Sequence, residues 1–144
     1  MTTIAYKDGI IACDSQCTKA NLKKYDFNKI KKIKGIIFVF YGEVPYFDEL
    51  AQIFFGNLKP QRWHKEVGAV VINKGVKEIC TFVVSEYKTG LIEEWDIKSH
   101  YSVGSGSELA IGAMDAGATA IEAVKIATER DIYSGGKVRF RKLW

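Results

Sequence analysis

The chain opens Met1-Thr2-Thr3, and this start is the first place where chemistry can be read. Removal of the initiator methionine before a small residue would leave Thr2 with a free α-amino group. A threonine hydroxyl is a poor nucleophile at its own pKa and needs a base. An unperturbed N-terminal amine titrates at about 7.7–8.0, close to the range a proton acceptor needs at neutral pH. One residue could then supply both nucleophile and base. Many proteins begin Met-Thr, so the start alone identifies nothing.

Four further segments carry polar side chains in a suggestive order. The first is Ala12-Cys13-Asp14-Ser15-Gln16-Cys17-Thr18, and Lys29 follows fifteen residues after Asp14 within Asn28-Lys29-Ile30-Lys31-Lys32-Ile33. The others are Val103-Gly104-Ser105-Gly106-Ser107 and Arg130-Asp131-Ile132-Tyr133-Ser134-Gly135-Gly136. Each has a plain reading of its own. Asp14 could end a strand, and Lys29 sits in a lysine run that would ordinarily be a solvated face. Ser105 could be a turn residue, Ser134 a loop serine and Gly135-Gly136 an ordinary hairpin element. His64 and His100 read as surface or satisfied histidines, and neither lies near a nucleophile elbow, so a Ser-His-Asp triad has no local support. Cys13, Cys17 and Cys80 form no disulfide-like framework and read as reduced thiols of a cytoplasmic protein. The histidines show no ligand spacing with them, so no metal site is expected.

The elements that must position these groups follow from pattern. Thr2–Tyr6 and Ile10–Cys13 flank Lys7-Asp8-Gly9, a strong hairpin signal. Lys19 to Lys34 reads as a solvated loop with a short strand near its end. Gly35 to Tyr41 is an apolar run suited to a strand covered on both faces. A helix is expected from about Pro45 to Phe55, with Phe47, Leu50, Ala51, Ile53 and Phe54 on its apolar face and Gly56 as its stop. Leu58 to Lys65 reads as a connector. Val67–Ile72 and Val76–Val84 are strands joined by Asn73-Lys74-Gly75, followed by strands near Leu91–Trp95 and into Val103. Ser107 is expected to cap a helix running through Ala116 to Gly117, and Thr119 the next, with Glu122 completing a capping box. Ile121, Val124, Lys125 and Thr128 mark its period to near Arg130, and Lys137–Phe140 returns as a strand. Strands and helices are segregated, which argues for α+β layers with two sheets and helices on their outer faces.

Composition bounds the rest. At 144 residues the chain is expected to be one domain, 1–144, with one core. Its net charge of +4 is too weak to argue for nucleic acid. No signal peptide and no membrane-spanning run is expected, because Lys7 and Asp8 interrupt the first apolar stretch.

Taken together and in order, these segments resemble the proteasome β-subunit family, including its bacterial relative, the peptidase subunit of HslUV. These are N-terminal-nucleophile hydrolases. The resemblance runs over nearly the whole chain. Its strongest pieces are Asp131-x-x-Ser134-Gly-Gly after a helix, which is closer to the proteasome than to the HslUV peptidase, and Thr-Thr-Ile followed by Ala-x-Asp-Ser-x-x-Thr. It implies an α+β, four-layer αββα sandwich of two antiparallel sheets. It implies Thr2 as nucleophile with Asp14 and Lys29 beside it, and Ser105, Asp131 and Ser134 as a hydrogen-bonded set around the Thr2 amine. Gly42 matches the family's oxyanion-hole glycine, Thr18 would bond the substrate backbone, and Cys17, Phe27 and Val39 fall near the substrate pocket. The implied activity is cofactor-free peptide hydrolysis within a homo-oligomeric ring acting on peptides or unfolded protein, fed by an ATP-dependent unfoldase. An inactive ring subunit of the same fold and a small-molecule amidase of the wider superfamily are the rival readings. The hairpin between Thr2 and Asp14 is shorter than in most members, and removing an even number of residues preserves its facing. No pro-segment is expected ahead of Thr2, as in the HslUV peptidase.

Overall fold

The computed structural model describes residues 2–19, 22–59, 66–86 and 89–144. Its elements run β1 (Thr3–Lys7), β2 (Ile10–Cys13), β3 (Cys17–Lys19), β4 (Leu22–Lys24), β5 (Ile30–Ile33), β6 (Ile36–Tyr41), a single 3-10 turn (Val44–Tyr46), α1 (Phe47–Phe54), β7 (Val67–Asn73), β8 (Glu78–Val84), β9 (Thr89–Trp95), β10 (Tyr101–Gly104), α2 (Ser107–Asp115), α3 (Ala120–Arg130) and β11 (Arg139–Lys142). They form two compact units, Met1–Lys29 with Asp96–Trp144, and Ile30–Trp95.

In the first unit, Asp8 (φ 50°) and Gly9 (φ 75°) make the two-residue turn that joins β1 to β2, with Lys7 opposite Ile10. The full sheet is antiparallel in the order β10-β1-β2-β11. Ala5 and Ala12 face one another across β1 and β2, and with Ala110, Met114, Ala120, Ala123, Val124 and Ala127 they form the core beneath α2 and α3. Small side chains on both surfaces let the helices lie close to the sheet. Thr119 caps α3 by accepting the Glu122 N–H at 3.1 Å.

In the second unit the sheet runs β5-β6-β7-β8-β9, each strand antiparallel to its neighbour. Phe38 and Phe40 stand two apart on β6 and stack at 5.4 Å, and Phe47 of α1 stacks on Phe40 at 4.7 Å. Phe54 meets Phe38 and Phe82 edge-on. The α1 helix buries Phe47, Leu50, Ala51 and Ile53.

Several expectations need correction. The lysine-rich stretch after Asp14 is not simply a loop, because β3 and β4 pair as a separate ribbon with Thr18 opposite Lys23. Pro45 sits in the 3-10 turn, and α1 begins only at Phe47. β8 starts at Glu78, since Val76 and Lys77 belong to the turn and Lys77 has φ 53°. Ser107 is the first helical residue of α2, whose N-cap is Gly106 with no side-chain cap. The packed stripe of α3 is Ala120, Ala123, Val124 and Ala127; of the expected Ile121, Val124, Lys125 and Thr128, Val124 lies on it and Ile121 packs at its edge, whereas Lys125 is exposed, because alanine fits the close sheet contact. β11 lies two residues later than expected. The connector residues 60–65, including His64, lie outside the described residues. Among the described residues, no helix is long and apolar enough to cross a membrane.

Candidate active site

Thr2 precedes the first strand and is 2% exposed. Its Oγ1 accepts a hydrogen bond from the Lys29 ammonium at 2.8 Å, and Lys29 Nζ donates to Asp14 Oδ1, also at 2.8 Å. Asp14 follows β2 by one residue and Lys29 precedes β5 by one, so one sits where a strand ends and the other where a strand begins. The Lys29 and Asp14 side chains are 3% and 0% exposed. A buried pair of this kind is tolerable only when its remaining hydrogen-bonding capacity is met. Asp14 meets it with backbone donors: Thr3 N–H to Oδ1 at 3.2 Å, and Gln16 N–H and Gly135 N–H to Oδ2 at 3.2 and 3.0 Å. One carboxylate thus joins the start of β1, the end of β2 and the loop after α3.

A second polar group forms around Asp131, the residue that ends α3. Its Oδ2 accepts the Ser105 hydroxyl at 2.5 Å and the Ser134 hydroxyl at 2.6 Å, and its Oδ1 accepts the Tyr133 N–H at 3.2 Å. Burial pushes the Asp131 carboxyl upward, but the two hydroxyls and the N–H outweigh it and hold it below the usual carboxylate range. Each serine has one proton. With the Ser105 proton directed at Asp131, Ser105 Oγ, 3.3 Å from the Thr2 carbonyl oxygen, is left with acceptor capacity.

Glycines make room for this arrangement. Gly104 has φ 102°, and a Cβ there would fall on the Thr2 carbonyl. A Cβ on Gly106 would overlap the Thr3 hydroxyl.

Of the residues singled out in the sequence, Thr2 and Asp14 are linked through Lys29, which bonds both, and Ser105, Asp131 and Ser134 form a second connected set. Ser105 Oγ approaches Thr2 at its carbonyl. Thr18 is exposed on β3, Cys17 is half-buried, and Phe27 is half-buried with its N–H bonded to the Ser15 carbonyl at 2.9 Å. Gly42 and Val39 belong to the Ile30–Trp95 unit. There Val39 is buried on β6, and Gly42 (φ 97°) passes so near the Glu66 carbonyl that a Cβ would lie 2.6 Å from its oxygen.

Sequence reasoning missed Thr3 and Gln16. Thr3 is fully buried, with its hydroxyl 2.7 Å from Ser134 Oγ. Gln16 is 3% exposed and its side-chain amide donates to the Ile132 carbonyl at 3.1 Å, holding the loop that carries Asp131 and Ser134. A polar side chain inside the Asp14-to-Thr18 segment was the available signal for Gln16.

The other reactive side chains lie apart from this cluster's hydrogen bonds. Cys13 is fully buried, and burial pushes its thiol up to about 12. Cys80 is pushed up to about 11, again chiefly by burial. His100 Nε2 lies 2.6 Å from Asp115 Oδ1 at the surface. Among the described residues, no cluster of three or more His, Cys, Asp or Glu side chains could hold a metal ion.

Segregated antiparallel sheets with their helices make up a proteasome-like fold. Solved structures share it over nearly the whole chain. The protein is similar to Thiobacillus denitrificans BPH in complex with epoxomicin, at 21% identity and a TM-score of 0.68, covering 99% of this chain and 98% of that one. It is similar to eukaryotic HslV from Trypanosoma brucei, at 18% identity and a TM-score of 0.70, covering 97% of each. It is also similar to Anbu, an ancestral β-subunit, from Yersinia bercovieri, at 10% identity and a TM-score of 0.58, covering 97% of this chain and 79% of that one. At these identities the likeness is one of fold. No family model matches the sequence, and no curated protein is similar to it at a significant level.

Proposed function

We propose that the protein is a threonine peptidase in which Thr2, freed by removal of Met1, is the nucleophile. The observation that carries this reading is the contact of Thr2 Oγ1 with the buried Lys29 ammonium, itself held by Asp14. A cation donating to that oxygen favours its ionised form and lowers the cost of attack. The Thr2 α-amine takes the hydroxyl proton as Oγ1 bonds to the peptide carbonyl carbon. The C–N bond then breaks, the leaving amine takes up that proton, and an acyl ester on Thr2 remains. The freed amine next draws a proton from water, whose oxygen bonds to the ester carbon; the C–Oγ1 bond then breaks, Thr2 Oγ1 takes the proton back from the amine, and the acid is released.

Ser105, with its own proton committed to Asp131, is suited to accept from an ammonium at Thr2 and so to orient the amine. Asp131 and Ser134 fix that acceptor. Thr18, exposed on β3, is proposed to bond an extended substrate as an added strand, and the pocket roles of Cys17 and Phe27 rest on the sequence resemblance. The oxyanion-hole role of Gly42 and the pocket role of Val39 rest on the sequence resemblance. Assembly into a homo-oligomeric ring, an unfoldase partner and a cytoplasmic setting belong to the same reading.

The test is hydrolysis of a panel of fluorogenic peptides by protein whose N-terminus has been sequenced. Protein beginning at Thr2 is expected to cleave some of them and to gain the mass of epoxomicin when treated with it. Thr2→Ala is expected to do neither. Protein that begins at Thr2, forms rings by native mass spectrometry and cleaves nothing would favour the inactive ring subunit. Turnover of small amides without peptides would favour the amidase.

A further inference from the structure

The two polar groups of the site meet at one residue that the proposed mechanism does not use. Thr3 donates its backbone N–H to Asp14 Oδ1 at 3.2 Å, and its carbonyl accepts the Asp14 N–H, also at 3.2 Å. Its hydroxyl lies 2.7 Å from Ser134 Oγ. The direction of that bond follows from proton count: Ser134 has one hydroxyl proton and donates it to Asp131 Oδ2 at 2.6 Å, so Thr3 is the donor. A directed chain results, from Thr3 Oγ1–H to Ser134 Oγ–H to the Asp131 carboxylate. Donation into Ser134 strengthens the donation that Ser134 makes onward.

A strand position this deeply buried is ordinarily filled by valine or isoleucine. Valine has the shape of threonine without the oxygen, and burying the hydroxyl is costly unless it is bonded. The fold reserves space for that oxygen, since a Cβ on Gly106 would overlap it. Threonine is also stiff at χ1, so the hydroxyl and the backbone it belongs to are fixed together. The charged groups facing this link are Asp14 and Lys29 on one side and Asp131 on the other.

We infer that Thr3 is a positioning residue: its hydroxyl ties the Ser134–Asp131 pair to the strand whose backbone is tied to Asp14 and Lys29, and this double attachment holds the adjoining Thr2 in attacking geometry. The inference rests on the reading of Thr2 as nucleophile, but its geometric part can be read without activity.

The experiment compares wild type, Thr3→Val and Thr3→Ser, each with Met1 removed, by steady-state peptide hydrolysis and by crystal structure. Thr3→Val is expected to lower kcat by roughly 10- to 100-fold, the scale of an ångström-level misplacement, with KM little changed. Thr3→Ser restores most of the loss because it keeps the donor. In crystals, Lys29 Nζ and Thr2 Oγ1 are expected to separate beyond hydrogen-bond reach in Thr3→Val and to return to contact in Thr3→Ser. Combining Thr3→Val with Ser134→Ala is expected to cost little more than Ser134→Ala alone, because both break one chain. Should valine prevent folding, Thr3→Cys, with its weak donor, carries the same comparison.

An unchanged kcat with an unmoved Thr2 overturns the inference, as does a loss that serine fails to rescue. If wild type cleaves nothing, the peptidase reading fails and the crystal comparison alone decides the role of Thr3. A Thr2 displaced in Thr3→Val then upholds that role, and an unmoved one overturns it.

Discussion

The two units bury different things. Among the described residues, Thr2, Thr3, Asp14, Ser15, Gln16, Lys29 and Ser134 are the buried polar groups of the Met1–Lys29 and Asp96–Trp144 unit, whereas Ile30–Trp95 buries only Thr81 and Ser85. The second unit is organised instead by rings, with Phe38, Phe40, Phe47, Phe54, Phe55 and Phe82 in edge or stacked contact. Apolar burial is non-directional and tolerates repacking. A buried polar cluster tolerates neither, because each group must find its partner in a fixed place. The concentration of such groups in one unit therefore marks where geometry is specified most tightly, and that unit holds the Thr2–Lys29–Asp14 contact.

The widest gap between the units should appear when each loses its anchor. Asp14→Leu would take the counter-ion from the buried Lys29 ammonium and orphan the N–H groups of Thr3, Gln16 and Gly135. Breaking a buried pair from one side costs about 3–5 kcal/mol, and each orphaned N–H adds about 1–3 more. Urea melts of Asp14→Leu are therefore expected to show almost no folded baseline. A loss under about 2 kcal/mol would mean that water reaches the cluster, and the contrast would fail. Phe47→Ala, in the other unit, removes a ring stacked on Phe40 and is expected to cost about 3–5 kcal/mol as a cavity. Because no charge is involved, that loss should be the same at pH 5 and pH 8 in the same melts.

The contrast between units also explains what was legible in the sequence. The Asp8-Gly9 hairpin, the apolar run of β6 and the Thr119 cap are local features, and local features leave local patterns. The β3–β4 ribbon left none, because Thr18 and all three residues of β4 are exposed and no alternation marks the strands. The site residues were named through a resemblance, yet Thr3 was passed over because a threonine near a strand's start reads as an ordinary strand former. Its partner Ser134 lies 131 residues away, and no spacing rule connects them. The Gln16 and Gly135 N–H groups that hold Asp14 were invisible for a different reason: backbone donors have no residue type.

Glycine substitutions extend the comparison at smaller cost. Gly35 (φ 79°) in the second unit has no atom within 4 Å of where a Cβ would sit. Gly35→Ala therefore carries only the left-handed backbone penalty, about 1–2 kcal/mol. Gly104→Ala carries the same penalty and also drives a methyl onto the Thr2 carbonyl. On the proposed peptidase reading it should lose peptide turnover well beyond its loss of stability, whereas Gly35→Ala should lose stability alone. Thermal melts read against turnover per folded molecule separate the two, and equal turnover in both variants would break the link between Gly104 and the site.

The smallest expected effect is a pH slope carried by Asp131. Its carboxyl is held below the usual range because the Ser105 and Ser134 hydroxyls and the Tyr133 N–H outweigh the upward push of burial. An unfolded aspartate titrates near about 3.9. The folded group binds its proton less readily, so its contribution to stability is complete above that value. It drains away as pH falls through the lower folded pKa. Asp131→Asn removes the contribution. The stability gap between wild type and Asp131→Asn should then be flat from neutral pH down to about 5 and close on further acidification. Asp131 is partly exposed, so solvent screening keeps the gap small. Denaturation curves at stepped pH measure it directly. A gap that widens toward acid would mean the carboxyl is protonated more readily in the folded protein, and the hydrogen-bonded set around Asp131 would then be assigned the wrong charge.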